Sequence, residues 1–389
     1  MVVGIPSYSN ERTIGYVARA AADGLARYFH GSNALLMNSD GGSPDATRDV
    51  FLKTSAPEHV HKLATHYQGT AGKGSALKAI YEACAMLDAR ACVVVDSDLR
   101  SITPEWIRLL AEPIIKDGAG YVTPLYLRHK YDGTITNSLA YPFTRALYGR
   151  RVRQPIGGDF GVSGKLAKSY LQKDVWETEA AKFGIDIFMT TTAINEGFDI
   201  RQANLGAKIH DAKDPAVHLA PMFRQVVGTM FALMRKYEDN WAGVKGSQAV
   251  PAVGQSFEQE PEAVPVTLSA LVERFREGAE TRKPLWEKFL SDDVIAELED
   301  ITQLGDSSFS FPAKLWVEIV YEFAVAYNTE GFVPDEVVDS LTPLYFGRTA
   351  GFVRETEKMN TSQAERVIEE VAELFEKQKR YLIALWRKR

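Results

Sequence analysis

The sequence predicts an α/β protein in which a doubly wound, mostly parallel, Rossmann-like sheet precedes an all-α C-terminal region. Strand-like and helix-like segments alternate up to about residue 98, which implies right-handed βαβ units. The run Val93 to Val95 is continuously apolar, as expected for a central strand covered on both faces. We therefore predict an α/β domain over residues 1–241, a linker or long loop over 242–265 and a helical domain over 266–389.

Length and composition limit the classes of function to consider. The 389 residues carry a formal net charge of −6, which gives no reason to expect a nucleic acid or an anionic membrane surface as a partner. No apolar run approaches the roughly 20 residues of a membrane span, and Val2 to Ile5 is typical of a strand rather than a signal peptide. Cys84 and Cys92 are predicted to be buried thiols. We expect a cytoplasmic protein without a membrane span.

The first four predicted strands follow one another with helices between them. The strands are VVGIPSY, ALLMNSD, KLATHY and the central ACVVVDS, and the helices include Glu11 to Arg27 and Ser75 to Leu87. Ser43-Pro44 is typical of an N-cap with proline at the first helical position. In a doubly wound sheet the loops after these four strands lie at one edge, where ligands bind.

The remainder of the predicted α/β domain alternates less regularly. A helix from Pro104 to Ile115 and the strand GYVTPLYL precede a polar irregular segment, RHKYDGTITNS, and a helix from Leu139 to Tyr148. The stretch QPIGGDFGVSG contains four glycines and is predicted to be a turn where the backbone closely approaches a ligand or another strand. The helix Gly184 to Asn195 and the strand DIRQANLGAKIH complete the domain.

Two carboxylates, Asp96 and Asp98, follow the central strand with Ser97 between them. In an extended chain their side chains point to the same side, so the two negative charges require a cation or a proton nearby. A divalent metal that carries phosphate is the natural candidate. The alternative, equally compatible with the spacing, is a pair of solvated acids that cap the next helix.

The loops after the other three strands supply further polar groups. They contain Pro6, Ser7, Tyr8, Asn10 and Glu11 in the first loop, Ser39, Asp40 and a Gly-Gly pair in the second, and Gly72, Lys73 and Gly74 in the third. These loops could bind, in turn, a base, a ribose, a diphosphate and a metal. Tyr67 and Gly74 exclude a complete phosphate-binding P-loop, and Ser101 and Ile107 exclude an EF-hand. The dinucleotide-binding GxGxxG motif is also missing.

Taken together, these motifs resemble the nucleotide-diphospho-sugar glycosyltransferases of the GT-A fold. PSYSNERTI resembles their first-strand loop, GKGSAL their lysine turn and VVVDSD their DxD signature. QPIGGDF, FGIDIF and AKIH, in this order and spacing, are similar to the retaining mannosylglycerate and glucosyl-3-phosphoglycerate synthases. The resemblance to mannosylglycerate synthase extends more loosely over the helical C-terminal region. It implies that residues 1–241 form a GT-A nucleotide-sugar glycosyltransferase domain.

The resemblance also implies roles for the matching residues, with Asp186, Lys73 and Asp98 as the catalytic ones. The donor-binding residues would be Pro6, Tyr8 and Glu11 at the base and ribose, Ser39 beside the base, Lys73 near the diphosphate, Asp96 and Ser97 at the ribose or sugar, Gly158 at the backbone approach, and Asp186 at the sugar hydroxyls. Asp98 and His210 would bind a divalent metal, Mg or Mn. A lone histidine is more often structural, and the alternative for Asp186 is an acid on a helix surface.

The acceptor site is predicted from a polar loop. Arg128 presents a planar donor fork suited to a carboxylate or phosphate. The hydroxyl and amide groups of GTITN could bind glycerate hydroxyls, and the glycine-rich turn could approach the acceptor through its backbone. The predicted acceptor-binding residues are Arg128, Thr134, Thr136, Asn137, Gly157 and Asp159. The alternative is that this basic, polar loop is simply solvated.

The resemblance implies a metal-dependent retaining transferase that moves glucose or mannose from a UDP or GDP sugar to D-glycerate or 3-phosphoglycerate. No carboxylate is an obvious covalent nucleophile, so we expect a same-face attack in which the departing phosphate accepts the acceptor's proton. Two alternatives remain: a transferase acting on polyprenyl phosphate, and a non-catalytic nucleotide-sugar-binding protein. The last helix, Ser362 to Trp386, has an apolar stripe typical of core packing, and the helical tail could also bury a homodimer interface.

Overall fold

The computed structural model describes residues 1–209, 220–256 and 261–389. The chain forms two compact units. The first consists of Met1–Leu127, Val152–Asp211 and Ala249–Gln259, and the second of Arg128–Arg151, Ala212–Gln248 and Glu260–Arg389. The domain limits expected near residues 241 and 265 stay a prediction.

The first unit is built on a sheet of eight strands. Its strands are β1 Val2–Ser7, β2 Ala34–Asp40, β3 Val60–His66, β4 Ala91–Val94, β5 Tyr121–Leu127, β7 Phe160–Ser163, β8 Ile200–Ala207 and β10 Ala252–Val253, while the short β6 Arg150–Arg151 and β9 Gln248–Ala249 lie outside this sheet. The order across the sheet is β10-β8-β5-β7-β4-β1-β2-β3, and all neighbours are parallel except those of β7. The predicted α/β class and mostly parallel sheet are therefore confirmed.

Helices cover both faces of this sheet, which explains why its central strands are apolar throughout. The helices of the first unit are α1 Ile14–Tyr28, α2 Thr47–Lys53, α3 Lys73–Met86, α4 Pro104–Asp117, α6 Gly164–Leu171 and α7 Ile185–Asn195. Val3 and Ile5 of β1 belong to one core cluster with Val17 of α1. Gly4 faces the opposite side, where an added Cβ would lie 2.5 Å from Ile80 of α3. Successive residues of β1 are thus buried in different cores.

Three local expectations are wrong, each because tertiary contacts replace the predicted local structure. The end of the glycine-rich stretch is not a turn but β7, which pairs antiparallel with β4 and β5; Gly161 is needed there because a Cβ would lie 2.0 Å from the Leu110 carbonyl oxygen. Ser43 does not cap α2, which begins at Thr47, because its hydroxyl donates 2.6 Å to Asp40.

The third correction concerns the acid pair. The chain does not stay extended through Asp96 and Asp98, because β4 ends at Val94 and residues 97 and 98 form a turn. The Asp96 backbone N–H leaves the strand ladder and donates to Asp159 Oδ1 at 2.7 Å. The extended backbone from which a same-side pair is predicted therefore ends before the two acids.

The second unit is helical. Its helices are α5 Tyr141–Tyr148, α8 Ala220–Lys236, α9 Glu238–Trp241, α10 Leu268–Trp286, α11 Asp292–Gln303, α12 Ala313–Tyr327, α13 Pro334–Thr356 and α14 Thr361–Trp386, with a π-helical turn at Thr136–Ala140. A capping box of Asn360 and Gln363 starts α14, and the predicted stripe of this helix is buried at Val367, Val371 and Phe375. The all-α C-terminal region is confirmed for the described residues 261–389.

Two predictions from composition can also be compared with the structure. Cys84 and Cys92 are both buried free thiols, as predicted. Among the helices in the described ranges, none combines the length and apolar character that crossing a membrane requires.

Candidate functional site

The parallel strands of the first unit bring their carboxyl ends to one edge of the sheet. The segment after β4 supplies Asp96, the start of α3 after β3 supplies Lys73, and the residue after β8 supplies Lys208. Antiparallel β7 enters from the opposite direction, so the turn before it places Asp159 at the same edge. This edge is where open α/β sheets bind ligands.

Asp96 lies between two ammonium groups. Its Oδ1 is 2.8 Å from Lys73 Nζ and its Oδ2 is 2.8 Å from Lys208 Nζ. Burial raises the pKa of the Asp96 carboxyl, but Lys208 and Lys73 outweigh burial and hold this pKa well below its usual range. Burial lowers the pKa of the Lys73 ammonium, but the carboxylates of Asp186 and Asp96 outweigh this effect. The pKa of Lys73 therefore lies above its usual range. Asp96 and Lys73 are therefore both charged at neutral pH.

Asp159 and Tyr126 extend this network into the protein. Asp159 is completely buried and accepts hydrogen bonds from the Asp96 backbone N–H at 2.7 Å, from Lys208 Nζ at 2.9 Å and from the Tyr126 hydroxyl. The Lys208 ammonium also lies 5.1 Å from the centre of the Tyr126 ring. The carboxylate of Asp159 thus fixes the backbone at Asp96 and the ammonium of Lys208 together.

Asp186, in the first turn of α7, contacts the network on its other side. Its Oδ1 lies 3.4 Å from Lys73 Nζ and is buried without a hydrogen-bond partner among the described residues. Burial raises the pKa of Asp186, and the charge of Lys73 only partly offsets this effect. An oxygen in this state is available to accept a hydrogen bond from a ligand.

The predicted glycines are required by contacts within the chain. At Gly158, where φ is 94°, a Cβ would lie 2.2 Å from Asp96 Oδ2 and 2.9 Å from Lys208 Nζ. At Gly157 a Cβ would lie 2.1 Å from Pro124 Cγ, and at Gly74 it would lie 2.1 Å from the Ala180 carbonyl oxygen. Gly158 therefore allows the charged side chains of Asp96 and Lys208 to approach the backbone, whereas Gly157 and Gly74 allow close packing against Pro124 and the Ala180 backbone.

Gly158→Ala is expected to displace the Asp96 carboxylate and to reduce turnover by about 100-fold, the effect of misplacing a reacting group by about 1 Å. The left-handed backbone adds about 1–2 kcal/mol of strain. Gly197→Ala is a matched control, since its φ is 74° and no atom lies within 4 Å of the added Cβ. Both variants carry the cost of backbone strain, which urea unfolding measures, and Gly158→Ala should lose more stability because it also displaces Asp96 from its ion pairs. Equal turnover in the two would contradict the role of Gly158.

The residues expected at the nucleobase and ribose lie on the loop after β1 and at the end of β2. Pro6 and Ser39 are buried, and the Ser39 hydroxyl has no partner among the described residues. Tyr8 is 63 % exposed. Glu11 accepts a hydrogen bond from the Ala46 backbone N–H at 3.0 Å. Tyr8 and Glu11 are the exposed members of this set, and the donor-binding roles of all four stay predictions.

Asn10 connects this loop to the turn that follows β4. Its Oδ1 accepts hydrogen bonds from the Ser97 hydroxyl at 2.8 Å and from the Tyr8 backbone N–H at 3.0 Å. Ser9, between them, has a φ of 56°, which is uncommon for a residue other than glycine. The buried Asp40 holds the neighbouring loop by accepting hydrogen bonds from the Ser7 and Ser43 hydroxyls. Ser97 therefore supports the loop through Asn10 within the chain.

The described residues alone do not complete a metal site. They contain no group of three His, Cys, Asp or Glu side chains that could hold an ion. Both carboxylate oxygens of Asp96 already contact ammonium groups. Of the two predicted ligands, Asp98 is described and His210 lies outside the described residues. Whether the donor set fits a divalent ion therefore depends on His210.

Four of the six predicted acceptor-binding residues belong to the second unit, namely Arg128, Thr134, Thr136 and Asn137. Arg128 Nη1 lies 3.7 Å from Asp132 Oδ2, and the Asn137 side-chain amide donates 3.2 Å to the Asp132 carbonyl oxygen. Thr134 is buried, with its hydroxyl 2.5 Å from that of Tyr345, and Thr136 is also buried. Gly157 and Asp159 lie in the first unit.

Lys208 is the residue of the cluster that the sequence interpretation missed. It stands in the AKIH motif directly after β8, and only the histidine of that motif was assigned a role. A usable signal was present, because a lysine at the carboxyl end of a strand lies at the same edge as Asp96. Its two carboxylate partners, Asp159 and Asp96, lie 49 and 112 positions away in the sequence, so no local spacing links them.

Comparison with solved structures finds similar folds of two named enzyme types. Glucosyl-3-phosphoglycerate synthase from Mycobacterium tuberculosis, solved with Mg²⁺ and uridine diphosphate, is 24% identical over 59% of this chain and 78% of that chain, with a TM-score of 0.48. The same enzyme with Mn²⁺, uridine diphosphate and phosphoglyceric acid is 23% identical over 59% and 77%, with a TM-score of 0.45.

Mannosyl-3-phosphoglycerate synthase from Rubrobacter xylanophilus is 17% identical over 61% of this chain and 74% of that chain, with a TM-score of 0.43. No protein-family model matches the sequence, and no curated protein matches it either. The solved structures similar to this chain thus include glucosyl-3-phosphoglycerate synthase, one of the two kinds of synthase that the motifs resemble.

Proposed function

We propose that this chain is a metal-dependent retaining transferase that moves glucose or mannose from a UDP or GDP sugar to D-glycerate or 3-phosphoglycerate. The observation that carries the proposal is the cluster of Lys73, Asp96, Asp186 and Lys208 at the carboxyl edge of a parallel sheet. This edge is the ligand-binding edge of such folds. The ordered motifs that supply these residues resemble those of GT-A glycosyltransferases.

The donor half of the site follows from the charges. Lys73 begins α3, and two of the three contacts of its ammonium are 3.3 Å or longer. The ammonium could therefore contact a departing nucleoside diphosphate and stabilise its negative charge. Asp96 is kept ionised and oriented by its two lysines, and its remaining lone pairs can accept hydrogen bonds from ribose or hexose hydroxyls. A divalent cation, which Asp98 and His210 would hold, supplies additional neutralisation of the diphosphate when bound.

The hexose and the acceptor are assigned to the remaining groups. Asp186 offers a buried oxygen without a hydrogen-bond partner, which suits a carboxylate that grips hexose hydroxyls. Arg128 is proposed to bind the carboxylate or phosphate of the acceptor through its planar fork. Attack from the same face, with the acceptor's proton passing to the departing phosphate oxygen, retains the anomeric configuration. Isolation of a glycosyl-enzyme intermediate would contradict this mechanism.

The decisive experiment incubates the full chain with UDP- and GDP-linked glucose and mannose, Mg²⁺ or Mn²⁺, and either D-glycerate or 3-phosphoglycerate. We expect one donor and one acceptor to give a hexosylated product by mass spectrometry, with the anomeric configuration of the donor retained by NMR. Transfer only to polyprenyl phosphate would support the lipid alternative. Nucleotide-sugar binding without transfer or hydrolysis would support a non-catalytic binding protein.

The raised pKa of Asp186 predicts that one substitution at this position will have opposite effects on stability and on activity. The pKa of Asp186 is higher in the folded chain than in the unfolded chain. At pH values between the two, the folded state binds more protons than the unfolded state, so stability falls as pH rises through this range. Asp186→Asn should therefore raise the thermal midpoint at pH 7 while removing transfer. The gain should vanish at acidic pH, where the wild-type carboxyl is protonated. A lower midpoint for the variant at pH 7 would contradict this reasoning.

Asp199→Asn is the matched control for that measurement. Asp199 forms an ion pair with Arg201 in the same unit, and its side chain is 46% exposed. An exposed pair contributes little to stability. We expect this control to leave both the thermal midpoint and the transfer rate close to wild type.

A further inference from the structure

Lys208 and Lys73 both contact Asp96, but their surroundings differ. Lys208 Nζ lies 2.8 Å from Asp96 Oδ2, 2.9 Å from Asp159 Oδ2 and 2.9 Å from the Gly157 carbonyl oxygen. An ammonium has three N–H donors, so these three acceptors account for all of them. The side chain is 5% exposed. Lys208 therefore has no donor left for a substrate.

Lys73 is less completely engaged. Its Nζ makes one short contact, 2.8 Å to Asp96 Oδ1, while the Gly158 carbonyl oxygen lies at 3.3 Å and Asp186 Oδ1 at 3.4 Å. The side chain is 14% exposed. Of the two lysines, Lys73 is the one that can exchange a long contact for a ligand oxygen.

We propose that Lys208 is a positioning residue, which rests on the proposed function of this site. It holds the carboxylates of Asp96 and Asp159 and the Gly157–Gly158 backbone in one arrangement, and it acts on the donor only through Asp96. Without its charge, the two carboxylates would face each other across the cluster without a shared cation. The close approach at Gly158, where an added Cβ would lie 2.9 Å from Lys208 Nζ, shows that the backbone turn is built around this side chain.

The test compares Lys208→Met and Lys208→Arg with Lys173→Met in the full chain. Lys173 pairs with Glu196 in the same unit, which makes it a matched control away from the cluster. Lys208→Met is expected to lower kcat by about 100-fold, as for a reacting group misplaced by about 1 Å. The factor by which the donor KM rises should be at least tenfold smaller than the factor by which kcat falls. Lys208→Arg should recover much of the loss, and Lys173→Met should resemble wild type.

A double-mutant cycle with Asp159→Asn separates positioning from general destabilisation. If Lys208 acts through its carboxylate partners, the two substitutions together should cost much less than the product of their separate effects on kcat. Fully multiplicative effects, or a donor KM that rises as much as kcat falls, would overturn the proposal. The latter result would indicate direct donor contact by Lys208.

A crystal structure of Lys208→Met provides a readout that does not need turnover. We expect the Asp96 carboxylate to leave its position beside Lys73 and the turn at Gly157 and Gly158 to shift. An unchanged Asp96 and turn would overturn the positioning role, even if the wild-type chain transferred no hexose. Should Lys208→Met not fold, the same comparison is made on Lys208→Gln, which keeps two N–H donors but removes the charge. Failure of the proposed function would appear separately, as a wild-type chain without transfer.

Discussion

Asp96→Asn is expected to reduce hexose transfer by at least about 100-fold, the effect of removing one preorganised electrostatic group from an active site. The substitution removes the counter-charge that lies 2.8 Å from each of two largely buried ammonium groups. Breaking a buried ion pair costs about 3–5 kcal/mol. Because Asp159 and Asp186 still contact the two lysines, we expect the free energy of unfolding to fall by about 3 kcal/mol. Urea unfolding and initial transfer rates measure the two effects.

Asp88→Asn is the matched control. Asp88 forms an ion pair with Lys168, but its side chain is 89% exposed, so solvent screens the pair. We expect no measurable change in unfolding or transfer for this control. If Asp96→Asn were as stable and as active as Asp88→Asn, Asp96 would not be the centre of the charged cluster.

Arg145→Met is expected to destabilise the helical unit by about 3 kcal/mol, again through the loss of a buried pair. The Arg145 side chain is 2% exposed, and its guanidinium lies 2.6 Å from Glu369 and 2.8 Å from Glu376 of α14. It also donates to the Tyr141 hydroxyl at 3.1 Å. For a unit of this size the loss corresponds to a thermal midpoint lower by about 6–12 °C.

Arg224→Met provides the same substitution at an exposed pair of the second unit. Arg224 lies 3.7 Å from Asp339, with both side chains more than one third exposed. Such pairs contribute less than about 1 kcal/mol. A thermal midpoint lowered equally by Arg145→Met and Arg224→Met would show that the buried pairs of Arg145 do not hold α14 against α5.

Much of the fold could be predicted because its signals are local or periodic. The continuous apolar run at Val93 to Val95 and the alternating strand and helix patterns predict the central strand and the α/β class. Helical spacing after residue 266 predicts the all-α region. The loops after the parallel strands could be assigned to one edge by topology alone, which placed Lys73 and Asp96 together before any contact was known.

The errors arose where a distant contact replaces a local preference. Four glycines in one stretch predict a turn, yet residues near the end of that stretch form strand β7. This strand pairs with both β4 and β5, and Gly161 lets α4 approach it. Ser43 has the local features of an N-cap, but its hydroxyl is taken by Asp40. Backbone and side-chain hydrogen bonds made across the fold outweigh a capping interaction of about 1 kcal/mol.

By itself, the sequence determined the class of fold, the edge at which the polar loops meet and the identity of most charged residues there. Only the tertiary structure decided how those charges pair. Asp96 finds its partners not in Asp98, two positions away, but in Lys73 and Lys208, which lie 23 and 112 positions from it. The physical reason is that opposite charge offsets the cost of burying a carboxylate, and the fold brings that charge from elements remote in the chain.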